Sequence, residues 1–283
     1  MTEPLLSIAN LRVDFHTETG VVRAVRGVSL DIGRGERVGI VGESGSGKSM
    51  TGRAILRLIR PPGVMTAERL AFDGIDLMAL PEPAMRHLRG RRIAMVLQDP
   101  KYSLNPVMTV GKQLIEAFRT ADPALSAKAA RTKALDALTA VRIRDAERVF
   151  EAYPGALSGG MGQRVMIAMM VALGPDLLIA DEPTSALDVT VQMQVLAILD
   201  DLVRAQGMGL MFISHDLDLV ASFCDRIAVM YAGHVVEECQ ADALQSARHP
   251  YTRGLLAAIP EIDRPRGDLP VLERNPAWAE DSS

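Results

Sequence analysis

The stretch Gly42-Glu43-Ser44-Gly45-Ser46-Gly47-Lys48-Ser49 matches the pattern G-x-x-x-x-G-K-[ST]. It follows an apolar, β-branched run, Arg37 to Val41, which predicts a buried strand. It precedes Met50 to Leu58, whose apolar residues have helical spacing. Strand, glycine-rich loop and helix together are the context that a phosphate-binding loop requires. The alternative is a Gly/Ser-rich turn before an ordinary helix, and the motif in this context favours the phosphate-binding loop over it.

The residue types of this loop suit a polyphosphate. Glycines let the backbone fold tightly, so that its N–H groups can point inward. The following helix adds unsatisfied N–H groups and the positive end of its dipole. Lys48 is expected to reach the β- and γ-phosphates, and the Ser49 hydroxyl to bind Mg²⁺. The predicted nucleotide contacts of this segment are Gly42, Ser44, Gly45, Gly47, Lys48, Ser49 and Met50.

Length and composition describe an ordinary globular chain of one large domain, or one domain with a subdomain. The 283 residues are 48% hydrophobic and 23% charged, with a net charge of −4 and no long basic run, which argues against nucleic acid as the main partner. The longest apolar run, Val165 to Leu173, is too short to span a bilayer. Cys224 and Cys239 form no metal-ligand cluster and are expected to be buried free thiols.

Two carboxylates end the predicted strand Leu177 to Ala180. In α/β sheets, ligands gather beyond the carboxyl ends of the strands. Asp181 is expected to hold Mg²⁺ through water, and Glu182 to point at the water that attacks the γ-phosphate. The two roles need two carboxylates at slightly different depths in the site, and adjacent positions at a strand end supply them. The alternative for an isolated Asp-Glu pair is a solvated acidic turn.

Gln98 and His215 also follow predicted strands. A neutral amide can bind Mg²⁺ or orient water, and a histidine can hydrogen-bond the γ-phosphate. Taken alone, such a glutamine is more often a surface residue and such a histidine more often structural. The functional interpretation rests on position, because phosphoryl transfer needs positioning and charge stabilisation more than covalent chemistry.

A second helix start also has phosphate-binding character. Leu157-Ser158-Gly159-Gly160-Met161-Gly162-Gln163 precedes a predicted helix, Arg164 to Leu173. Ser-Gly-Gly before a helix offers a capping hydroxyl and unsatisfied N–H groups. Since the chain has one phosphate loop, this second site would serve a nucleotide held by another subunit.

The remaining patterns describe a hairpin and a helical insertion. Leu5 to Phe15 and Val21 to Ile32 predict an antiparallel pair of strands. Phe15, at the mouth of their turn, could stack on an adenine ring or be a core aromatic, and spacing alone favours the core. From Gln98 to Tyr153, Ala- and Arg-rich segments predict helices inserted between strands.

Six motifs, in this order, resemble those of the nucleotide-binding subunit of ATP-binding cassette (ABC) transporters: Gly42–Ser49 (Walker A), Gln98 (Q-loop), Leu157–Gln163 (signature), Leu177–Glu182 (Walker B), Ser185–Asp188 (D-loop) and His215 (switch histidine). The resemblance covers about residues 5 to 260. It implies an α/β P-loop NTPase core with an N-terminal antiparallel β subdomain and an inserted α-helical subdomain. The implied segments are 1–98 (core, first part, with the β subdomain), 99–175 (helical subdomain with signature), 176–240 (core, second part) and 241–283 (C-terminal helix and flexible tail).

The resemblance implies ATP and Mg²⁺ as cofactors and two cassettes packed head to tail. Ser158 and Gly160 would contact the partner's γ-phosphate, and Asp188 would cross the interface. Gly159 and Gln163 belong to the same expected contact set. Gly162 stands where an arginine is expected, which leaves the phosphate contacts intact and puts a local salt bridge in doubt.

The long stretch Gln98–Gly111 and the motif His249-Pro250-Tyr251-Thr252 are similar to those of oligopeptide, dipeptide and nickel importers. The chain resembles the first of their two non-identical ATPase subunits. That implies partnership with a second ATPase subunit, two transmembrane permease subunits and, indirectly, an extracytoplasmic solute-binding protein. It also implies a peripheral place on the cytoplasmic face of the bacterial inner membrane. With no cysteine after Cys239, no iron–sulfur cluster is expected.

Three alternatives stay open at this point. A soluble cassette ATPase acting on ribosomes or DNA would usually carry two cassettes, a coiled-coil insertion or basic patches. An exporter ATPase fits the six motifs but not the importer-like segments. A regulatory cassette that hydrolyses ATP poorly fits badly with the presence of both Glu182 and His215. Peptides are the default solute, and nickel chelates, opines and other small solutes remain alternatives.

Overall fold

The computed structural model describes residues 3–99, 103–185 and 187–258, together with Asn275 and Trp278. The chain divides into two compact units, Met1–Ala79 with Met211–Ser283, and Leu80–Leu210. The four sequence segments given above stay a prediction, and the tail expected beyond Pro260 falls largely outside the described residues. In chain order the described helices and strands are β1 (Leu6–Thr17), β2 (Gly20–Ile32), β3 (Arg37–Val41), α1 (Lys48–Ile55), β4 (Gly63–Thr66), β5 (Arg69–Phe72), β6 (Ile75–Asp76), α2 (Glu82–Leu88), β7 (Ile93–Val96), α3 (Val110–Ala121), α4 (Ala127–Ala140), α5 (Ala146–Glu151), α6 (Gly159–Val171), β8 (Leu177–Asp181), α7 (Val189–Gln206), β9 (Gly209–Ser214), α8 (Leu217–Phe223), β10 (Arg226–Tyr231), β11 (His234–Gln240) and α9 (Pro250–Ala257).

An antiparallel sheet forms the N-terminal part of the first unit, in the order β2-β1-β5-β6 with β4 also paired to β1. The predicted hairpin is confirmed, since Leu6 pairs with Ile32 and Thr17 with Gly20. Strand β4 was not predicted, because Pro61-Pro62-Gly63 is a sequence that interrupts regular secondary structure. Its four residues gain their order from pairing with β1.

The phosphate loop of the first unit follows a strand of a second sheet. Strand β3 is parallel to β10, which pairs antiparallel with β11, and β9 lies on the other side of β3. All residues of β9, and all of β3 after Arg37, are buried. Continuous apolar runs of this kind are expected of strands covered on both faces.

The second unit joins a parallel strand pair to a helical insertion. In β7 and β8, Ile93 pairs with Leu177 and Val96 with Ala180, so both strands end at the same edge. Helices α3 to α6 pack on one another. The buried residues of α4 are Ala130, Ala134 and Leu138, a spacing that forms one apolar stripe. The predicted helical insertion is therefore confirmed.

Two expectations are corrected. Helix α6 begins at Gly159 rather than Arg164, because the Ser158 hydroxyl accepts a hydrogen bond from the Met161 N–H at 3.4 Å and caps the helix there. Cys224 is a buried free thiol, and burial raises its pKa to about 12, but Cys239 is only half-buried. Within the described residues, none of the helices has the length and apolar character needed to cross a lipid bilayer.

Candidate functional site

The phosphate loop closes tightly between β3 and α1. Gly42 has φ 150° and Gly47 has φ 104°, backbone conformations that favour glycine. A Cβ atom at Gly42 would lie 2.1 Å from the Met230 carbonyl oxygen, and one at Gly47 would lie 2.5 Å from the Ala24 oxygen. Only glycine fits at either position, so the loop leaves its backbone N–H groups close to whatever occupies its concave side.

Lys48 is buried inside this loop, with 6% of its surface exposed. Its ammonium Nζ donates hydrogen bonds to the carbonyl oxygens of Gly42 and Glu43, at 2.7 and 2.8 Å. The Ser46 hydroxyl is also buried and has no hydrogen-bond partner within the described residues. A buried cation, an unpartnered hydroxyl and a helix N-terminus form a setting that fits a phosphate group.

Two residues predicted from strand ends, Gln98 and Glu182, meet in the second unit. The Gln98 amide Nε2 donates to the Glu182 carboxylate at 2.9 Å and to the Ser185 hydroxyl at 3.4 Å. Glu182 has φ 48°, so the chain turns sharply after β8 while Asp181 stays buried at 4% exposure. The arrangement gives two carboxylates in different environments, with the outer one oriented by a neutral amide. Ser185, which sequence reasoning had placed only in the D-loop motif, belongs to the same hydrogen-bonded group.

The signature segment presents an exposed helix start. Ser158 and Gly159 are exposed, and Gly160 packs against α7, where an added Cβ atom would lie 2.6 Å from Val191 Cγ1. Asp188 begins α7, and its carboxylate accepts a hydrogen bond from the Val191 N–H at 3.0 Å. Val191 leaves no room for a side chain at Gly160. The sequence did not predict this contact, because it depends on how α7 packs against α6.

Gln163 differs from Ser158 and Gly159 in being buried. It is 2% exposed, and its Nε2 has no hydrogen-bond partner within the described residues. It lines a cavity of about 410 Å³ together with Ser158 and Gly159. The predicted contact of Gln163 with the partner's nucleotide stays a prediction.

Phe15 and His215 both belong to the first unit. Phe15 is half-buried in β1, opposite Val22 of β2 and Gly63 of β4. Its partly exposed ring does not decide between adenine stacking and a core role, so the predicted adenine contact stays a prediction. His215 is exposed after β9 and lines a cavity of about 720 Å³ with Gly42 and Ser44 of the phosphate loop.

A phosphate loop after a buried parallel strand, with polar residues at further strand ends, defines a nucleoside-triphosphate-binding domain. Comparison with known families agrees with this class. The model of the ABC transporter family matches residues 25–185, and that of the oligopeptide/dipeptide transporter C-terminal region matches residues 236–283. The chain belongs to the ABC transporter family, as one of its ATP-hydrolysing subunits.

Relatives and solved structures are similar over most of the chain. The probable D,D-dipeptide transport ATP-binding protein DdpD of Escherichia coli (strain K12) is 47% identical, over 96% of this chain and 83% of the relative. The oligopeptide transport ATP-binding protein OppD of Bacillus subtilis (strain 168) is also 47% identical, over 92% and 73%. The dimeric post-hydrolysis structure of the ATP-binding cassette MJ0796, bound to ADP and Pi, has a TM-score of 0.75 at 28% identity, covering 83% of this chain and 98% of that one.

Proposed function

We propose that this chain binds ATP with Mg²⁺ and hydrolyses it to energise an importer of peptides or a related small solute, of dipeptide, oligopeptide, nickel or opine type. The observation that carries the nucleotide chemistry is the buried Lys48 ammonium, held by two carbonyl oxygens inside the phosphate loop. The solute class is supported by relatives named for dipeptide and oligopeptide transport and by the match to the C-terminal region of such transporters.

In the proposed site each side chain has a separate role. Lys48 binds the β- and γ-phosphates, and the loop N–H groups hold the rest of the phosphate chain. Ser49, Gln98 and Asp181 would hold the metal ion, which would neutralise charge on the phosphate oxygens. His215 hydrogen-bonds the γ-phosphate.

Glu182 is the general base of the proposal. Its carboxylate accepts a hydrogen bond from the Gln98 amide, which orients one oxygen and leaves the carboxylate able to accept the proton of the attacking water. Because Gln98 touches Glu182 directly, a displacement of the Q-loop changes the orientation of the base. Gln98 is therefore suited to couple the nucleotide site to a membrane partner.

The exposed signature start supports a second ATPase subunit as the partner. We infer head-to-tail packing, in which Ser158, Gly159 and Gly160 approach the nucleotide of the other subunit and Asp188 lies at the interface. Two transmembrane permease subunits, supplied with solute by an extracytoplasmic binding protein, would place this chain at the cytoplasmic face of the bacterial inner membrane. We expect it to be the first of two non-identical ATPase subunits.

The test is ATP turnover by the purified chain, compared with Glu182→Gln, combined with size-exclusion chromatography in ATP. We expect the variant to bind ATP, to lose turnover by about a hundredfold or more, and to accumulate as a dimer. Glu151→Gln, which changes an exposed carboxylate at the end of α5, is the matched control and keeps wild-type turnover.

If the wild-type chain binds ATP without turnover or dimerisation, the non-identical subunit is required and the assay is repeated with it and the permease subunits. Undiminished turnover by Glu182→Gln would remove Glu182 from the role of base. Failure of the folded wild-type chain to bind ATP would overturn the proposal.

A further inference from the structure

The segment that begins α9 is fastened to strand β11. The Glu237 carboxylate accepts hydrogen bonds from the backbone N–H groups of Arg248, at 2.6 Å, and His249, at 3.3 Å. His249 Nδ1 then accepts from the Tyr251 N–H at 3.2 Å and caps the helix. Pro250 occupies a first-turn position, where no backbone N–H is needed. These contacts fix the place from which the Tyr251 side chain extends.

Tyr251 joins this segment to the phosphate loop. Its side chain is fully buried, and its ring packs against Tyr231 of β10, with the ring centroids 4.5 Å apart. The centroid of the Trp278 ring lies 6.1 Å from the centroid of the Tyr251 ring. The Tyr251 hydroxyl oxygen accepts a hydrogen bond from the backbone N–H of Glu43 at 3.1 Å, across 208 residues of sequence. A buried aromatic ring thus holds one polar atom against the loop backbone.

The backbone at Glu43 is therefore held from two directions. Its N–H donates to Tyr251, and its carbonyl oxygen accepts from Lys48 Nζ at 2.8 Å. Further along the loop, the Ser46 carbonyl oxygen accepts from the Gly233 N–H at 3.0 Å. The bond from the Glu43 N–H to Tyr251 does not involve Lys48, so it does not depend on where the ammonium points.

We propose that Tyr251 is a positioning residue for ATP binding, because its hydroxyl keeps the first turn of the phosphate loop in its binding conformation. The inference rests on the proposed function and adds a residue outside the six nucleotide-binding motifs. It also gives the His-Pro-Tyr-Thr motif a physical role: histidine and proline begin the helix, and tyrosine reaches the loop. Loss of the hydroxyl is expected to weaken ATP binding about threefold to tenfold.

The test compares Tyr251→Phe with Tyr231→Phe. Both remove one hydroxyl from the same aromatic cluster and keep the ring, but Tyr231 has no hydrogen bond to the loop within the described residues. For Tyr251→Phe we expect the Kd of a fluorescent ATP analogue, and the KM for ATP, to rise threefold to tenfold while kcat stays within twofold. For Tyr231→Phe we expect both constants to stay within twofold of wild type.

A second arm needs no nucleotide. Hydrogen–deuterium exchange of the peptide that covers residues 41–47 is expected to be faster in Tyr251→Phe and unchanged in Tyr231→Phe. Wild-type exchange and wild-type Kd in Tyr251→Phe would overturn the inference, as would equal losses in both variants or a fall in kcat at constant KM. The exchange measurement reports on the loop alone. Failure of the wild-type chain to bind ATP would therefore count against the proposed function, and the tyrosine contact would then be judged by the exchange rates.

Discussion

Helices α1 and α6 both begin at glycine-rich turns, but their polar groups are used differently. At α1, Gly47 provides no capping side chain, and Lys48 is buried with its ammonium bonded to loop carbonyl oxygens. At α6, the Ser158 hydroxyl caps the helix, and both Ser158 and Gly159 face outward. The first helix start is built around an internal cation, whereas the second presents the exposed Ser158 and Gly159, and the Arg164 Nε there donates to the Gly160 carbonyl oxygen at 3.3 Å.

This difference separates two kinds of phosphate contact. A site with its own cation and closed backbone can bind a nucleotide within one chain. An exposed helix start gains a phosphate contact only when another molecule brings the phosphate to it. Substitutions at α1 should therefore alter nucleotide binding by the isolated chain, and substitutions at α6 should alter assembly.

The largest expected effect comes from Lys48→Ala. Removing the buried ammonium is expected to weaken ATP binding by the isolated chain about a hundredfold or more, because charge-assisted bonds to phosphate are strong. Ser158→Ala should leave the same Kd within twofold. Titration with a fluorescent ATP analogue measures both, and equal losses in the two variants would contradict the distinction between the two helix starts.

The glycines next to the two helices give the next effect. Gly47→Ala places a Cβ atom 2.5 Å from the Ala24 oxygen at φ 104°, and should cost about 1–3 kcal/mol of unfolding free energy. Gly159→Ala meets no atom within 4 Å, and should be neutral or stabilising by up to about 1 kcal/mol. Urea denaturation compares them. Comparable destabilisation would show that the α6 turn is as constrained as the phosphate loop.

A smaller effect is expected from Gly160→Ala, since the clash is with a side chain rather than the backbone. The new Cβ atom would lie 2.6 Å from Val191 Cγ1, at a cost of about 1–2 kcal/mol. Val191→Ala should restore part of this loss in the double variant. A double-mutant cycle by urea denaturation measures the coupling, and purely additive losses would show that Val191 does not set the space at Gly160.

The smallest effect is that of Ser158→Ala on stability. Loss of the hydroxyl that caps α6 should cost about 1 kcal/mol, while Ser158→Gly should cost only a few tenths. The midpoint of urea denaturation reports both changes. Identical midpoints for wild type and Ser158→Ala would mean that the 3.4 Å contact with the Met161 N–H contributes nothing to folding.

The phosphate loop was predictable from sequence because strand, glycines, lysine and helix are neighbours in the chain. The start of α6 was not, because Gly159 and Gly160 are poor helix formers and the cap at Ser158 outweighs their low propensity. Strand β4 was missed since its order comes from β1 rather than from its own pattern.

The long-range contacts also divide into those that the sequence could predict and those that it could not. Parallel pairing of β7 with β8 explains why Gln98 and Glu182, 84 residues apart, lie within hydrogen-bond distance. That meeting follows from a general rule about strand ends. The contact between Tyr251 and Glu43 follows from no such rule, because it depends on where a C-terminal helix packs. The roles of all these residues in binding and hydrolysis stay predictions for the variants above.

The hydrogen bond between Glu43 and Tyr251 also sets an order of events during synthesis. The phosphate loop leaves the ribosome early, but its acceptor is translated 208 residues later. At about 5–20 residues per second, the delay is roughly 10–40 s. During that interval the nascent loop lacks the contact that holds its first turn. The last helix described in the chain thus completes a structure begun near its start, and a ribosome that stalls before residue 251 leaves the loop without this bond.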